Sequence, residues 1–323
     1  MQKVVKSPVL VVGASGFVGR HLCVALQAAD YIIRRGTSNE ARCTNAEPGS
    51  GWFFIDMNKP DTYGKTLEGC RSVVYLFHAL AAGSDYAARE ARAATAFRDA
   101  AARYGVETLV YLGGVAPSAP TSQHLESRRA TGRILSEGNL TVVELRAAMI
   151  IGRGSTSFNL VRDLAVRTPL VALPEWLNRG SCPIAIDDVA YALVRALELD
   201  VSQGACFDLP GPEWLTHREL LSRVSSLVGT RIIKRALPGI STKFAARLLG
   251  LITRERSAII SELVEGLPSD LTPLGESFWS AIGEAPSRTV MSAILSALAD
   301  ETSKVEPSIE TRERLIARVR ERV

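Results

Sequence analysis

The stretch PVLVVGASGFVGRHL, residues 8–22, admits few folds. The apolar run PVLVV (8–12) reads as a strand, glycines follow at 13, 16 and 19, and Phe17, Val18, Leu22, Ala25 and Leu26 then share one helical face. A strand that turns through glycines into a helix is the opening unit of a parallel sheet wrapped by helices. Each glycine has its own task in such a turn. Gly13 takes the chain off the strand, Gly16 lets backbone N–H groups approach a pyrophosphate, and Gly19 lets the helix lie close to the sheet. With Ser15, Phe17 and Val18 between and beside them, these positions read as a dinucleotide-binding fingerprint.

The rest of the first half repeats the alternation. YII (31–33), WFFI (52–55), VVYLF (73–77), LVYL (109–112) and TVVEL (141–145) are strand candidates, and the Ala-rich segment 84–104 and segment 122–138 are helical by composition and period. Six strands with intervening helices predict a doubly wound, Rossmann-type parallel sheet with its core at 8–150. A helix near 156–167, the run CPIAI (182–186), a helix after DDV (187–189) and the run CFDLP (206–210) continue the pattern at the sheet's far side. The expected division is therefore a cofactor-binding domain over 1–210 and a smaller, mostly helical substrate or lid domain over 211–323, interrupted by Pro238, Pro268, Pro273, Pro286 and Pro307. The charge-rich tail from 301 reads as a solvated or oligomer-contacting helix, in a monomer or a homodimer.

Composition excludes several classes. A chain of 323 residues that is 46% hydrophobic can bury one large core, with or without an appendage. The net charge of +4 is spread among nearly equal numbers of acids and bases, so no nucleic-acid footprint appears. Five cysteines without Cys-x-x-Cys or Cys/His spacing argue against a metal site and for a reducing compartment. No apolar run approaches the roughly 18 residues that span a bilayer, and the chain enters a strand directly rather than a signal peptide, so a cytoplasmic location is expected. The segment STKFAARLLGLITR (241–254) joins Lys243, Arg247 and Arg254 to an apolar face, which suits lid packing or peripheral contact with a membrane surface.

The end of the second strand selects between NAD and NADP, because an acid there accepts from the ribose 2′-hydroxyl and an arginine fits a 2′-phosphate. YII runs into Arg34 and Arg35, so NADPH is expected rather than NADH. Asp56, after the third strand, is placed to accept from the adenine amino group, and Met57 to lie against the ring. His78 follows the fourth strand with Phe77 and Ala79, on the rim where open α/β sheets bind ligands.

The order and spacing of GASGFVG, FFIDM, VVYLFHAL, LVYLGGVAP, SQHLESRRATGRIL, VVELRAAMIIGRGSTSF and CPIAIDDVAYAL resemble atypical short-chain dehydrogenases/reductases. The branch most similar is the NmrA-like, complex-I-accessory-subunit-like group of NAD(P)H-binding proteins, over roughly residues 8–270. That resemblance implies a Ser near the end of the fifth strand and a Tyr-x-x-x-Lys on the next helix, facing the nicotinamide. Here the Ser position falls on Gly113 or Gly114, His124 stands for Tyr and Arg128 for Lys. It further implies that Ala147, Ala148 and Met149 pass near the nicotinamide amide.

The replacements keep usable chemistry. An imidazole titrates near neutrality and can handle a proton. Arg128, one turn away, can hold ribose hydroxyls or a developing oxyanion while disfavouring a charged His124. Ser122, Phe158, Trp176 and Trp214 are the candidate walls of a small hydrophobic substrate site. The expected function is an NADPH-dependent oxidoreductase that transfers hydride to a hydrophobic, aromatic or quinone-like carbonyl or enone. The alternative, favoured by the missing Ser and Tyr, is a non-catalytic NADPH-binding redox sensor or assembly factor.

Overall fold

The computed structural model describes residues 7–79, 85–115, 122–167, 170–201, 204–230, 233–236, 241–242, 244–247 and 257–302. Its strands are β1 (Val9–Val12), β2 (Ile33–Thr37), β3 (Trp52–Phe54), β4 (Ser72–Tyr75), β5 (Thr108–Gly114), β6 (Thr141–Ala147), β7 (Ile150–Ile151), β8 (Leu170–Leu173), β9 (Gly180–Ser181), β10 (Ile184–Ala185), β11 (Ala205–Asp208), β12 (Leu215–Thr216) and β13 (Ile233–Ala236). Seven of them make one sheet in the order β11-β6-β5-β4-β1-β2-β3, with every pairing parallel. The chain winds outward from β1 to β3 and then returns to β4 on the other side of β1. That reversal opens a crevice at the carboxyl ends of β1 and β4, where ligands of such sheets bind.

Helices cover both faces: α1 (Phe17–Ala28), α2 (Glu40–Thr44), α3 (Gly64–Leu67), α4 (Tyr86–Arg103), α5 (Gln123–Ser136), α6 (Thr156–Arg167), α7 (Ile186–Ala196), α8 (His217–Leu227), α9 (Ser257–Gly266), α10 (Phe278–Ile282) and α11 (Val290–Thr302). The period of two along β1 assigns the layers. Val9 and Val11 join Leu22 and Leu26 of α1 and Val189 and Leu193 of α7. Leu10 and Val12 join Ala94 and Phe97 of α4 on the opposite face.

One feature departs from the sequence reading. The second strand begins at Ile33, the last residue of YII, and runs on through Arg34 and Arg35 to Thr37. Its register decides this: Leu10 faces Arg34 and Val11 faces Arg35, so the arginines lie in the body of the sheet rather than past its end. The seventh strand, β11, falls on the run CFDLP as expected and completes the sheet beside β6.

Residues after 210 do more than cover the crevice. Phe278 and Trp279 enter the β1–α1–α7 core with Phe207, and the Trp279 indole donates to Pro210 O at 2.8 Å. The buried Asp208 carboxylate accepts from the amides of Leu274 (2.8 Å) and Gly275 (2.6 Å). Buried Asp188 accepts from Ser287 N (3.0 Å), Ser287 Oγ (2.6 Å) and Arg288 N (3.1 Å). The third core unites Ile151, Phe158, Leu215, Leu220 and Val224 with Val290 and Ile294 of α11. Lys243 and Arg254, and the tail beyond 302, lie outside the described residues. Among those residues, no helix is long and apolar enough to cross a membrane.

Candidate active site

The glycine turn has the geometry that its spacing demands. Gly13 adopts φ +85°, and a Cβ there would sit 3.2 Å from Leu76 O, just past the neighbouring strand β4. A Cβ on Gly19 would lie 2.2 Å from Gly13 O and 2.7 Å from Ala14 Cα, so α1 can approach the turn only with a hydrogen at that position. The N-cap, Gly16, supplies no side-chain acceptor and the first turn of α1 holds no acid. Amides at that end are thus left for an anionic ligand, and the turn fits a pyrophosphate. Ser15 Oγ pairs with Thr37 Oγ1 at 3.0 Å across the ends of β1 and β2. Phe17 and Val18 are partly buried against the sheet core.

Arg34 and Arg35 are committed elsewhere. The Arg34 guanidinium donates to the carbonyls of Lys65 (3.4 Å), Thr66 (3.1 Å) and Glu68, and it covers the Phe53 ring at 5.1 Å. Arg35 donates to Ser50 O at 2.7 Å. Long side chains can bury their stems in a strand and spend their heads on carbonyls at its border, and these two do so. The strand end itself is neutral: Thr37, followed by Ser38 and Asn39, whose amide donates to Thr37 Oγ1 at 3.2 Å. Replacing Arg34 or Arg35 with alanine is therefore expected to lower the melting temperature and leave any preference between NADPH and NADH within about twofold. Paired fluorescence titrations check this, and a reversed preference would restore the sequence reading.

Asp56 lies just past β3, with Oδ1 accepting from Asn58 N at 2.9 Å and Asn58 Nδ2 at 3.2 Å. Met57 is 5% exposed and belongs to the α4-side core, so its side chain is packing rather than an open wall.

The other half of the crevice gathers charge. Ser122 ends the loop before α5 by accepting from Leu125 N at 3.4 Å, which fixes the start of that helix. His124 and Arg128 follow four residues apart on α5. The Arg128 guanidinium donates to Leu112 O at the end of β5 and lies 5.1 Å over the Tyr111 ring, while Tyr111 OH donates back to Arg128 O at 3.0 Å. A Cβ on Gly114 would meet Leu125 at 3.5 Å and Arg128 at 3.8 Å, ordinary contacts, whereas one on Gly113 would strike Glu144 Oε1 at 2.7 Å. Of the two glycines at the Ser position, only Gly114 has room for a side chain.

The His124 ring stacks on His78, with centroids 4.9 Å apart and planes at 29°. Behind His78 stands Glu90 of α4, a residue 2% exposed. Its Oε1 accepts from His78 Nδ1 and from the Ala79 amide at 2.8 Å, and its Oε2 accepts from Ser127 Oγ. Burial alone would raise the Glu90 carboxyl; the hydrogen bonds from His78, Ser127 and Ala79 overcome it and hold the pKa at about 2. Burial, then His78 and Arg128, pushes His124 down to about 3. His78 is likewise lowered, chiefly by burial, with Glu90 working in the opposite direction. At neutral pH the site therefore holds an anionic Glu90, a cationic Arg128 and two neutral imidazoles.

Neither Glu90 nor Ser127 was singled out from the sequence. Glu90 had a signal, because it stands in register with Ala93, Ala94, Phe97, Ala100 and Ala101, the buried stripe of α4. A carboxylate on an apolar stripe needs partners. Helix α9 then closes over this group: Tyr86 OH donates to Glu262 Oε2 at 2.9 Å, Ile259 packs on Ala79 and Tyr86, and a Cβ on Gly266 would lie 3.6 Å from Ser122 Oγ.

The expected substrate walls separate. Phe158 is fully buried in the third core and offers no open face, which corrects its assignment. Trp176 packs on the same core and on the α9 cluster. Trp214 is 45% exposed and lies over Gly180. Phe77 borders His78, packed on Tyr75. At the end of β6, Ala147 is buried and accepts from Val115 N at 3.2 Å, Ala148 is half-buried, and Met149 leans into the third core. Among the described residues, no three His, Cys, Asp or Glu side chains converge to hold a metal ion.

Residues 9–139 match the model of the NAD dependent epimerase/dehydratase family. The matched stretch runs from β1 through α5. No curated protein matches the chain in sequence. Among solved structures, a nucleoside-diphosphate-sugar epimerase from Staphylococcus aureus is similar with a TM-score of 0.68 at 17% identity, covering 89% of this chain and 99% of its own. The Bordetella bronchiseptica enzyme WbmG, solved with NAD and UDP, gives 0.66 at 14% identity over 91% and 94%. The Thermus thermophilus UDP-glucose 4-epimerase, solved with NAD, gives 0.57 at 19% identity over 80% and 98%. At these identities the likeness is one of fold.

Proposed function

We propose that this chain is a nicotinamide-dinucleotide-dependent oxidoreductase that interconverts a carbonyl and an alcohol on a small hydrophobic substrate. The observation that carries the reading is the His78–His124 stack, backed by a buried carboxylate, beside the glycine turn. The dinucleotide, when bound, supplies the hydride donor or acceptor. Gly13, Gly16 and the amides at the start of α1 would hold its pyrophosphate, and Arg128 its ribose. Phe77, Ala79, Tyr86 and Ile259 make the surroundings of the imidazoles apolar, which favours a hydrophobic substrate and excludes water.

His124 takes the tyrosine's position with a different role. Its Nδ1 is buried without a partner, and a bare acceptor is cheaper to bury unpaired than an N–H. The proton then sits on Nε2, so a neutral His124 donates a hydrogen bond to the substrate oxygen while Arg128 adds fixed positive charge. For the dinucleotide, NADPH is our assignment. Thr37, Ser38 and Asn39 at the end of β2 carry no carboxylate, and α2, which opens on Glu40, carries Arg42 stacked 5.0 Å over Trp52 as a cation for a 2′-phosphate.

His124→Ala is expected to lower kcat/KM by about 100-fold while the dinucleotide Kd stays within about twofold. Fluorescence titration, followed by a screen of quinones, aromatic ketones and secondary alcohols, makes the measurement. Absence of dinucleotide binding, or turnover untouched by the substitution, refutes the proposal. Tight binding without turnover across the panel would establish the sensor reading, which the glycine and histidine at the Ser and Tyr positions favour.

A further inference from the structure

The Glu90–His78 pair has no counterpart in the Ser, Tyr and Lys roles that His124 and Arg128 replace. We infer that His78 is the base of this site: Glu90 holds its Nδ1–H, and its Nε2 takes the proton of a substrate hydroxyl, so the enzyme oxidises a secondary alcohol. The inference rests on the functional reading above and assigns the direction of the chemistry and a second catalytic residue.

The geometry separates the two ring nitrogens of His78. Nδ1 is bound to a carboxylate that is itself 2% exposed and that also accepts from the Ala79 amide and Ser127 Oγ. Glu90 is therefore satisfied as an anion. An anionic carboxylate accepts only, so the proton of this contact belongs to His78 Nδ1. The neutral ring then carries a lone pair on Nε2. Its side chain keeps 29% exposure, and Nε2 is not among the buried nitrogens left without a partner. One face of the ring is covered by His124, and Nε2 is the ring nitrogen that Glu90 leaves unengaged. A buried acid that fixes the tautomer and steadies the imidazolium is the device of the Asp–His pair in serine hydrolases, here on a different sheet.

The other groups around His78 define when it can work. They are Glu90 from α4, His124 and Arg128 from α5 and, through Tyr86, Glu262 from α9. Arg128 disfavours a positive charge on His78 and Glu90 favours one, while His78 and Arg128 both disfavour one on His124. Of the two imidazoles, His78 is thus the one placed to receive a proton. In the step, the alcohol O–H bond breaks and its proton forms the Nε2–H bond of a His78 imidazolium. The carbinol hydrogen leaves with its electron pair to an oxidised nicotinamide dinucleotide, and the imidazolium afterwards returns its proton to water. Glu90 is a positioning residue and touches no reacting atom.

The first readout needs neither turnover nor a variant. Nitrogen-15 NMR of the full chain, without ligand, should find the neutral His78 protonated at Nδ1. A proton on Nε2 would overturn the inference. The second is kinetic, with secondary aliphatic and aromatic alcohols as probes. His78→Gln should lower the rate of oxidation by about 100-fold or more with dinucleotide affinity within about twofold. Glu90→Gln, which keeps an acceptor for Nδ1–H but loses the charge, should move the acid limb of the pH profile to lower pH. Wild-type oxidation rates in His78→Gln overturn the inference. So does a dinucleotide-bound enzyme that reduces carbonyls yet oxidises no alcohol, and in both cases the broader reading stands. A wild-type chain that binds no dinucleotide refutes both readings.

Discussion

Gly19→Ala should weaken dinucleotide binding by about 100-fold or more. The added methyl carbon would fall 2.2 Å from Gly13 O, 2.7 Å from Ala14 Cα and 2.9 Å from Ala14 C. All three are backbone atoms of the turn that presents the amides, so none can rotate aside as a side chain would. Either α1 lifts from the sheet or the turn deforms. Overpacking of this kind costs about 1–3 kcal/mol of stability. The larger loss is in binding, because amides aimed at a pyrophosphate lose their alignment, and two charge-assisted hydrogen bonds are together worth about 3 kcal/mol or more. At about 1.4 kcal/mol per factor of ten, that reaches 100-fold. Fluorescence titration against a circular-dichroism melt separates the two effects. A variant that melts lower but binds with the wild-type Kd would mean that the turn is not the dinucleotide's seat.

Acid should destabilise the fold well before its carboxylates are protonated. Burial is the main cause that lowers His217 from 6.5 to about 4, and its Nε2 is buried without a partner. A folded-state pKa below the unfolded value means that the unfolded chain binds more protons between the two. The stability tied to His217 is thus complete above pH 6.5 and is lost as pH falls toward 4. The shift corresponds to about 3 kcal/mol for a residue only 8% exposed. His124, lowered to about 3, acts with the same sign over a window that starts at 6.5. Glu90 adds its loss lower down, between 4.5 and about 2. Urea melts of wild type and His217→Gln at pH 7 and pH 4.5 provide the test. The variant should show a pH dependence smaller by about 2 kcal/mol or more, and equal dependence in both proteins would contradict it.

Much of this architecture was legible in the sequence because it rests on local rules. The glycine turn announced itself by spacing, and the helices around Phe97 and His124 by composition and period. The strand after Tyr31 was misread at its far end because arginine is a poor strand signal. Only the pairing of Leu10 and Val11 with Arg34 and Arg35 fixes where that strand stops, and pairing is not a local property. The cofactor assignment drawn from those arginines lost its basis with the register. His124 and Arg128 were found through resemblance, and the fold brought both to the crevice. Glu90 is the instructive omission. It sat within an alanine-rich stripe that was read for periodicity alone, although an acid in that register already implied a polar partner across the helix face. Phe158 erred the other way, an aromatic assigned to a wall that the fold uses as core.

The stitches from Asp208 to Leu274 and Gly275, and from Asp188 to Ser287 and Arg288, have a consequence for biosynthesis. Their acceptors emerge from the ribosome some sixty to one hundred residues before their donors do, as the separations of 66 to 100 positions record. Until the last helices are translated, Asp208 at the end of β11 and Asp188 in the first turn of α7 lack the donors that hold them in the finished fold. The nascent chain must wait for its own end, and a protein shortened before residue 274 would be trapped at that stage.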